Sequence, residues 1–356
     1  RDYQERAVEQ LRALMRRGVR RVLLVAPCGA GKGAVLAYLT GQGDARGDSG
    51  LVRAHRRELI DDLHTRIVAE GVRAGVVMRG HPLADPGARV QVGSIQTAVH
   101  RALPPPQYVV FDEAHRSVAP SYQRIVGRYP GAVVLGSTAS PWRSDGRGLG
   151  GLYEEVVVAA TTRELMDRGF LCEYTGFGFG EPDLSGVRVV AGDYDQRQLG
   201  RVMGGSAILG DIVGRWRDTA GGCRTVVFAV NREHSRSIVA DFVTAGVAAE
   251  HVDGKTQRDE RAAILDRLRS GTTQIVSNVE ILTEGIDIPA VGCVILARPT
   301  LSTRLAVQMV GRGLRPAIGK ERLRIHDHAG VLWRHGLPDA ERDYALTADV
   351  AKRRRD

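Results

Sequence analysis

Val22-Leu23-Leu24-Val25-Ala26-Pro27-Cys28-Gly29-Ala30-Gly31-Lys32-Gly33 is the stretch that decides the fold class. Four apolar residues read as a buried strand, a glycine-bearing loop follows at once, and a helical run begins after it. Such a loop, closing on a lysine at a strand-to-helix junction, suits phosphate. Glycines let main-chain N–H groups close around phosphate oxygens, the helix N-terminus adds its positive dipole end, and Lys32 supplies a mobile point charge. Pro27, Cys28, Gly29, Ala30, Gly31, Lys32 and Gly33 are therefore expected around the β- and γ-phosphates of a nucleotide. The usual pattern ends in Lys-Thr or Lys-Ser, whose hydroxyl ligates Mg²⁺, and Gly33 has no side chain to do so. Two outcomes stay open: hydrolysis continues with water in that coordination position, or nucleotide is bound without efficient turnover.

Asp112-Glu113-Ala114-His115 follows the apolar run Tyr108 to Phe111. Both carboxylates then emerge at the C-terminal end of a strand, where parallel sheets hold their ligands. Asp112 is expected to hold Mg²⁺ through water, and Glu113 to orient or deprotonate the attacking water. An isolated tetrapeptide of this kind could be an ordinary helix cap. Its place behind an apolar strand and downstream of Lys32 favours the chemical reading.

Working outward, apolar runs alternate with segments of helical period, the pattern of a parallel sheet covered by helices. Val22 to Val25, Val109 to Phe111 and Val133 to Leu135 read as strands of a first α/β domain, with Leu59, Ile60, Leu63 and Ile67 on one helical face. Val226 to Phe228, Ile275-Val276 and Val294 to Leu296 repeat the scheme, with Leu305, Ala306, Met309 and Val310 on another helix. The glycine-rich stretch Gly176 to Gly205 reads as a linker. The expected division is residues 1–175, linker 176–205, second domain 206–346 and a basic tail 347–356.

At 356 residues the chain has room for two such domains. No stretch approaches the length of apolar sequence a membrane span needs, and Arg1-Asp2-Tyr3-Gln4 lacks the features of a signal peptide, so a cytoplasmic location with no membrane partner is expected. Cys28, Cys172, Cys223 and Cys293 form no Cys-x-x-Cys pair and read as reduced thiols. The net charge of +9 suits a polyanionic partner, though an arginine-rich composition has blander causes.

The motifs, in this order, resemble those of DEAD/DEAH-type superfamily 2 helicases, over nearly the whole chain. Tyr3-Gln4 resembles the adenine-recognising Q motif, Ala26 to Gly33 the Walker A loop, Arg53 to Leu63 motif Ia, and Val92 to Ala98 the strand-contacting motif Ic. Ser137-Thr138-Ala139-Ser140-Pro141 stands in the place of motif III. In the second half, Val226 to Asn231 resembles motif IV, Ser277 to Pro289 motif V, and Gln308 to Arg315 motif VI. Within the superfamily, His326-Asp327-His328-Ala329-Gly330 and Arg334-His335-Gly336-Leu337-Pro338 are similar to RadD-type helicases and phage relatives.

The resemblance implies two tandem RecA-like domains, of the P-loop NTPase α/β class with mainly parallel sheets, holding ATP and Mg²⁺ between them. On this reading Tyr3, Gln4, Gly285 and Asp287 complete the ATP-binding set, with Asp112 for the metal. Lys32, Asp112, Glu113, His115, Gln308, Arg312 and Arg315 form the catalytic set. Arginine suits the γ-phosphate because its planar, permanently charged fork pairs with phosphate oxygens. Arg56, Ser94, Gln96, Thr97, Asn231 and Thr283 are the expected sugar-phosphate contacts, which give register without sequence preference. The implied activity is nucleic-acid-dependent ATP hydrolysis coupled to movement on, or unwinding of, DNA or RNA. Repair, phage or restriction proteins are the implied partner classes. Two other readings are an ATP-gated nucleic-acid binding module with weakened hydrolysis, motivated by Gly33, and a duplex translocase subunit that does not unwind.

Overall fold

The alternating pattern becomes two parallel sheets in the computed structural model, which describes residues 1–101, 103–143, 148–190, 192–282 and 290–347, with the backbone alone for 206–211. Two units result, Arg1–Thr161 with Arg342–Asp356, and Thr162–Glu341.

The first unit runs α1 (Asp2–Arg16), β1 (Arg21–Val25), α2 (Lys32–Ala45), β2 (Gly50–Ala54), α3 (Arg57–Ala69), β3 (Ala74–Val77), β4 (Val90–Ser94), α4 (Ile95–Val99), β5 (Tyr108–Asp112), α5 (Pro120–Arg128), β6 (Val133–Thr138) and β7 (Glu155–Val158). Its seven strands are ordered β3-β4-β2-β5-β6-β1-β7, and each pairing is parallel. Strands covered on both faces read as continuous apolar runs rather than alternating ones, as β1 and β5 do. Leu23, Val25, Leu51, Val109, Phe111, Val134 and Ile125 share one buried cluster. Register matters for the site, because Val25 lies beside Thr138 and Ser137 beside Asp112. The loops leaving β1, β6 and β5 therefore issue from three adjacent strands at one sheet edge.

The second unit runs α6 (Thr162–Asp167), β8 (Glu173–Gly178), β9 (Val189–Val190), β10 (Asp193–Tyr194), α7 (Gln196–Met203), α8 (Ser206–Ala220), β11 (Thr225–Phe228), α9 (Arg232–Thr244), β12 (Ala249–Val252), α10 (Arg258–Ser270), β13 (Ile275–Asn278), β14 (Cys293–Leu296), α11 (Thr303–Gly311), β15 (Arg322–Asp327) and α12 (Val331–His335). The sheet order is β12-β13-β11-β14-β15-β8, with β9 and β10 as a separate antiparallel pair. Trp216 anchors α8, giving its indole N–H to Thr225 Oγ1 at 2.8 Å while its ring meets Phe242 edge-on at 5.4 Å.

The domain limits differ from the expected ones. The units divide at Thr161/Thr162 rather than after residue 175. Residues 176–205 are no free linker: β8 pairs with β15 along six positions, Glu173 to Gly178, and Asp195 caps α7 through the Arg197 and Gln198 amides. At the other end, 342–346 belong with the first unit. The Trp142 indole N–H donates to Asp343 O at 2.9 Å and its ring stacks on Tyr344, while Gly150 N donates to Leu346 O at 3.0 Å. Nearly all of the expected basic tail lies outside the described residues.

Candidate active site

The loop between β1 and α2 turns on two glycines in the left-handed region, Gly29 at φ +87° and Gly31 at φ +80°. Gly31 is also the N-cap of α2. A side chain at Gly31 would be strained there and would also meet Gln4, whose Nε2 lies 2.5 Å from an ideal Cβ position. Amides of the first helical turn have no intrahelical acceptor, so α2 presents them at this loop together with its dipole. The Lys32 ammonium folds over the loop, donating to Ala26 O at 3.2 Å and Pro27 O at 3.3 Å. Tyr3 and Gln4 brace it from α1: the Tyr3 hydroxyl donates to Ala30 O at 2.7 Å and Gln4 Nε2 to the same oxygen at 3.0 Å. Tyr3, Gln4, Pro27 to Gly31 and Lys32 thus lie together at this loop, and Cys28 is buried within it. At Gly33 an ideal Cβ would lie 3.2 Å from Arg66 Cδ, a half-exposed side chain paired with Asp62.

Asp112 ends β5 and Glu113 follows in the left-handed region, φ +50°. A non-glycine residue there stores strain, and such strain clusters at functional sites. Both carboxylates are buried. His115 Nδ1 lies 3.3 Å from Glu113 Oε2 and 3.3 Å from Thr138 Oγ1. Thr138 Oγ1 in turn accepts the Ser140 amide at 3.1 Å and donates to Ser140 O at 3.2 Å. The hydroxyl that ties the acidic turn to the β6 loop is therefore that of Thr138. The sequence offered Thr138 only as part of a motif; the β5–β6 register identifies it.

In the second unit α11 carries Gln308, buried on its inward side and held by Arg304 at 3.2 Å, and has Arg312 as its C-cap. Arg315 follows in the next turn, and both arginines are half-buried. Gly285, Asp287 and Thr283 lie outside the described residues. Just before them Glu280 is the second non-glycine residue with positive φ among the described residues, at +61°. Its carboxylate accepts from Gln196 at 2.8 Å and Arg298 at 3.2 Å, a pairing that sequence spacing gave no sign of.

Of the expected strand contacts, Arg56 is the N-cap of α3 at the end of β2. Ser94 caps α4, accepting the Thr97 amide at 3.1 Å and donating to Thr97 Oγ1 at 2.9 Å. Gln96 is exposed and Thr97 half-exposed beside it. Asn231 caps α9 through His234 N at 2.9 Å. Ser94 and Asn231 thus have local structural duties as well.

Residues 1–143 match the model of the type III restriction enzyme res subunit, and residues 206–317 the helicase conserved C-terminal domain. A 51.5 kDa protein of a Lactococcus phage (isolate 7-9) is 31% identical over 324 residues, covering 90% of this chain and 68% of that protein. The chain belongs to the superfamily 2 helicases. ATP hydrolysis goes with that membership. IRC3 of Saccharomyces cerevisiae, named as an ATP-dependent helicase, is 28% identical over 355 residues, with 93% of this helicase chain but only 51% of the yeast protein covered. A fragment of an HsdR subunit of a type I restriction enzyme from Vibrio vulnificus YJ016 superposes with a TM-score of 0.75 at 20% identity, over 95% of the helicase chain and 66% of the fragment. Among the described residues no helix of this superfamily 2 helicase is long and apolar enough to cross a membrane.

Mg²⁺ prefers one or two carboxylates completed by water and substrate phosphates. A buried Asp112 at a strand end, on the same sheet edge as the Lys32 loop, is a donor set of that kind. Bound there, the ion would neutralise phosphate charge.

Proposed function

We propose that the chain is a nucleic-acid-stimulated ATPase that moves on DNA, with ATP and Mg²⁺ as cofactors. The observation that carries this reading is the convergence of the Lys32 loop, the strained Asp112-Glu113 turn and Thr138 on three neighbouring strands. Gln4 and Tyr3 hold the loop in shape; Lys32 and the α2 amides bind the β- and γ-phosphates. Asp112 holds the metal, and Glu113, oriented by His115, takes the proton of the attacking water. Gln308, Arg312 and Arg315 neutralise charge developing on the γ-phosphoryl group. Phosphoryl transfer needs mainly positioning and charge neutralisation, so withdrawing the arginines switches turnover off. Gly285, Asp287, Arg56, Ser94, Gln96, Thr97, Asn231 and Thr283 complete the proposed nucleotide and strand contacts. DNA is favoured over RNA by the match of residues 1–143 to the type III restriction enzyme res subunit.

Steady-state ATP hydrolysis with single-stranded DNA, duplex DNA, RNA or no polymer, each at two salt concentrations, tests the reading. Stimulation by DNA, strong salt sensitivity of binding, and loss of turnover in Lys32→Ala and Glu113→Gln are expected. A basal rate indifferent to every polymer would refute nucleic-acid dependence, and stimulation by RNA alone would refute DNA.

A further inference from the structure

The backbone that joins Arg312 to Arg315 is held by a group that no motif includes. Gly313 closes the end of α11, its amide donating to Val310 O at 2.9 Å, and it packs so tightly that an ideal Cβ would lie 2.6 Å from Leu323 and 2.9 Å from Val294. The carbonyls of Gly313, Leu314 and Arg315 are all captured. Leu314 O accepts the Cys172 amide at 2.8 Å, and Arg315 O accepts the Lys320 ammonium at 2.8 Å. Gly313 O also accepts from Lys320, with the Cys172 thiol 3.8 Å away. Lys320 reaches back because Ala317 to Lys320 form a tight turn, Lys320 N donating to Ala317 O at 3.0 Å, with Gly319 at φ +77°. One ammonium carries three donors, so a single nitrogen can bridge carbonyls two residues apart and remove the rotational freedom between them.

We propose that Lys320 is a positioning residue for ATP hydrolysis: by clamping the Gly313 and Arg315 carbonyls it sets the separation and aim of the Arg312 and Arg315 guanidiniums. This rests on the reading of those arginines as γ-phosphate partners. A lysine charge near phosphate would ordinarily be taken as a ligand; here the ammonium is directed at main-chain oxygens, so its effect passes through the arginines. Misplacement of a catalytic group by about 1 Å costs on the order of 100-fold in rate, whereas ground-state nucleotide binding by the Lys32 loop is untouched.

The test is DNA-stimulated turnover of Lys320→Met, Arg312→Ala, Arg315→Ala and the Lys320→Met/Arg315→Ala double variant, with ATP affinity, DNA affinity and thermal melting measured in parallel. Lys320→Met is expected to lower kcat by about tenfold or more, with KM for ATP and DNA affinity little changed, and the double variant to be no slower than Arg315→Ala. Gly319→Ala, which keeps the ammonium but strains the turn delivering it, should give a smaller loss of the same kind and stands in if Lys320→Met melts early. Wild-type turnover in both Lys320→Met and Gly319→Ala, or losses that multiply with that of Arg315→Ala, would overturn the clamp. Full turnover in Arg312→Ala and Arg315→Ala would instead overturn the reading of the arginines themselves.

Discussion

Arg53 is fully buried on β2, and none of its three guanidinium nitrogens has a hydrogen-bond partner among the described residues. Gly93 on the neighbouring strand leaves room for it, since a Cβ there would lie 2.8 Å from Arg53 Nη1. Burial draws its pKa down to about 9. A charge kept in the core without a partner is costly, and replacing buried charge with apolar volume often stabilises. Arg53→Met is expected to raise the unfolding free energy of the first unit by about 1–4 kcal/mol, read as a higher urea midpoint; a lower midpoint would show that the guanidinium has a partner. His326 makes a second residue-scale prediction. It is fully buried, with Nε2 2.9 Å from Thr219 Oγ1 and Phe177 and Phe179 edge-on to its ring. Burial and then Arg324 bring its pKa from 6.5 to about 4. The unfolded chain therefore binds more protons between these values, and stability falls as pH falls through that window. His326→Gln should lose less stability than wild type when urea melts at about pH 7 and pH 5 are compared; equal losses would mean that His326 is protonated in the fold. Neither residue was legible as it stands. Arg53 read only as the first residue of the stretch resembling motif Ia, because its burial depends on strands that flank β2 on both sides and lie far from it in sequence.

Asp327 shows what the His326 to Gly330 phrase does at the scale of an element. Its carboxylate accepts the amides of Ala329 at 3.1 Å, Val331 at 3.0 Å and Leu332 at 2.6 Å, turning the chain from β15 into α12. His335 then anchors α12 to the start of α11, its Nε2 2.8 Å from Thr300 O and its Nδ1 3.3 Å from Thr303 Oγ1. Asp327→Ala removes three hydrogen bonds from a buried turn and is expected to cost about 3 kcal/mol or more, with Asp327→Asn costing less. Denaturant melts decide it, and an unaltered midpoint in Asp327→Ala would rule out the cap. Strands β1, β5, β6, β11, β13 and β14, and helices α3 and α11, were legible because apolar runs and helical spacing mark them directly. The role of Asp327 was not, since a phrase rich in histidine and aspartate resembles a chemical site as much as a cap.

For the whole molecule, two α/β units were legible but their limits were not. Gly176 and Gly178 suggested a linker, yet they alternate with Thr175, Phe177 and Phe179, and the two phenyl rings pack against His326. The return of 342–346 to the first unit rests on Trp142 and Tyr344, a pairing 202 residues apart that no local pattern reveals. A fragment spanning 162–341 is expected to unfold cooperatively by itself, whereas 206–341, lacking β8, should be markedly less stable. Equal midpoints for the two fragments would contradict the observed sheet order. The proposed function assigns the γ-phosphoryl charge to Arg312 and Arg315 as well as chemistry to Lys32 and Glu113. The most direct measurement is DNA-stimulated turnover of Arg312→Ala beside its equilibrium affinity for ATP. Near wild-type affinity with turnover reduced by at least about 100-fold is the predicted result, and wild-type turnover would contradict the role proposed for Arg312 in ATP hydrolysis.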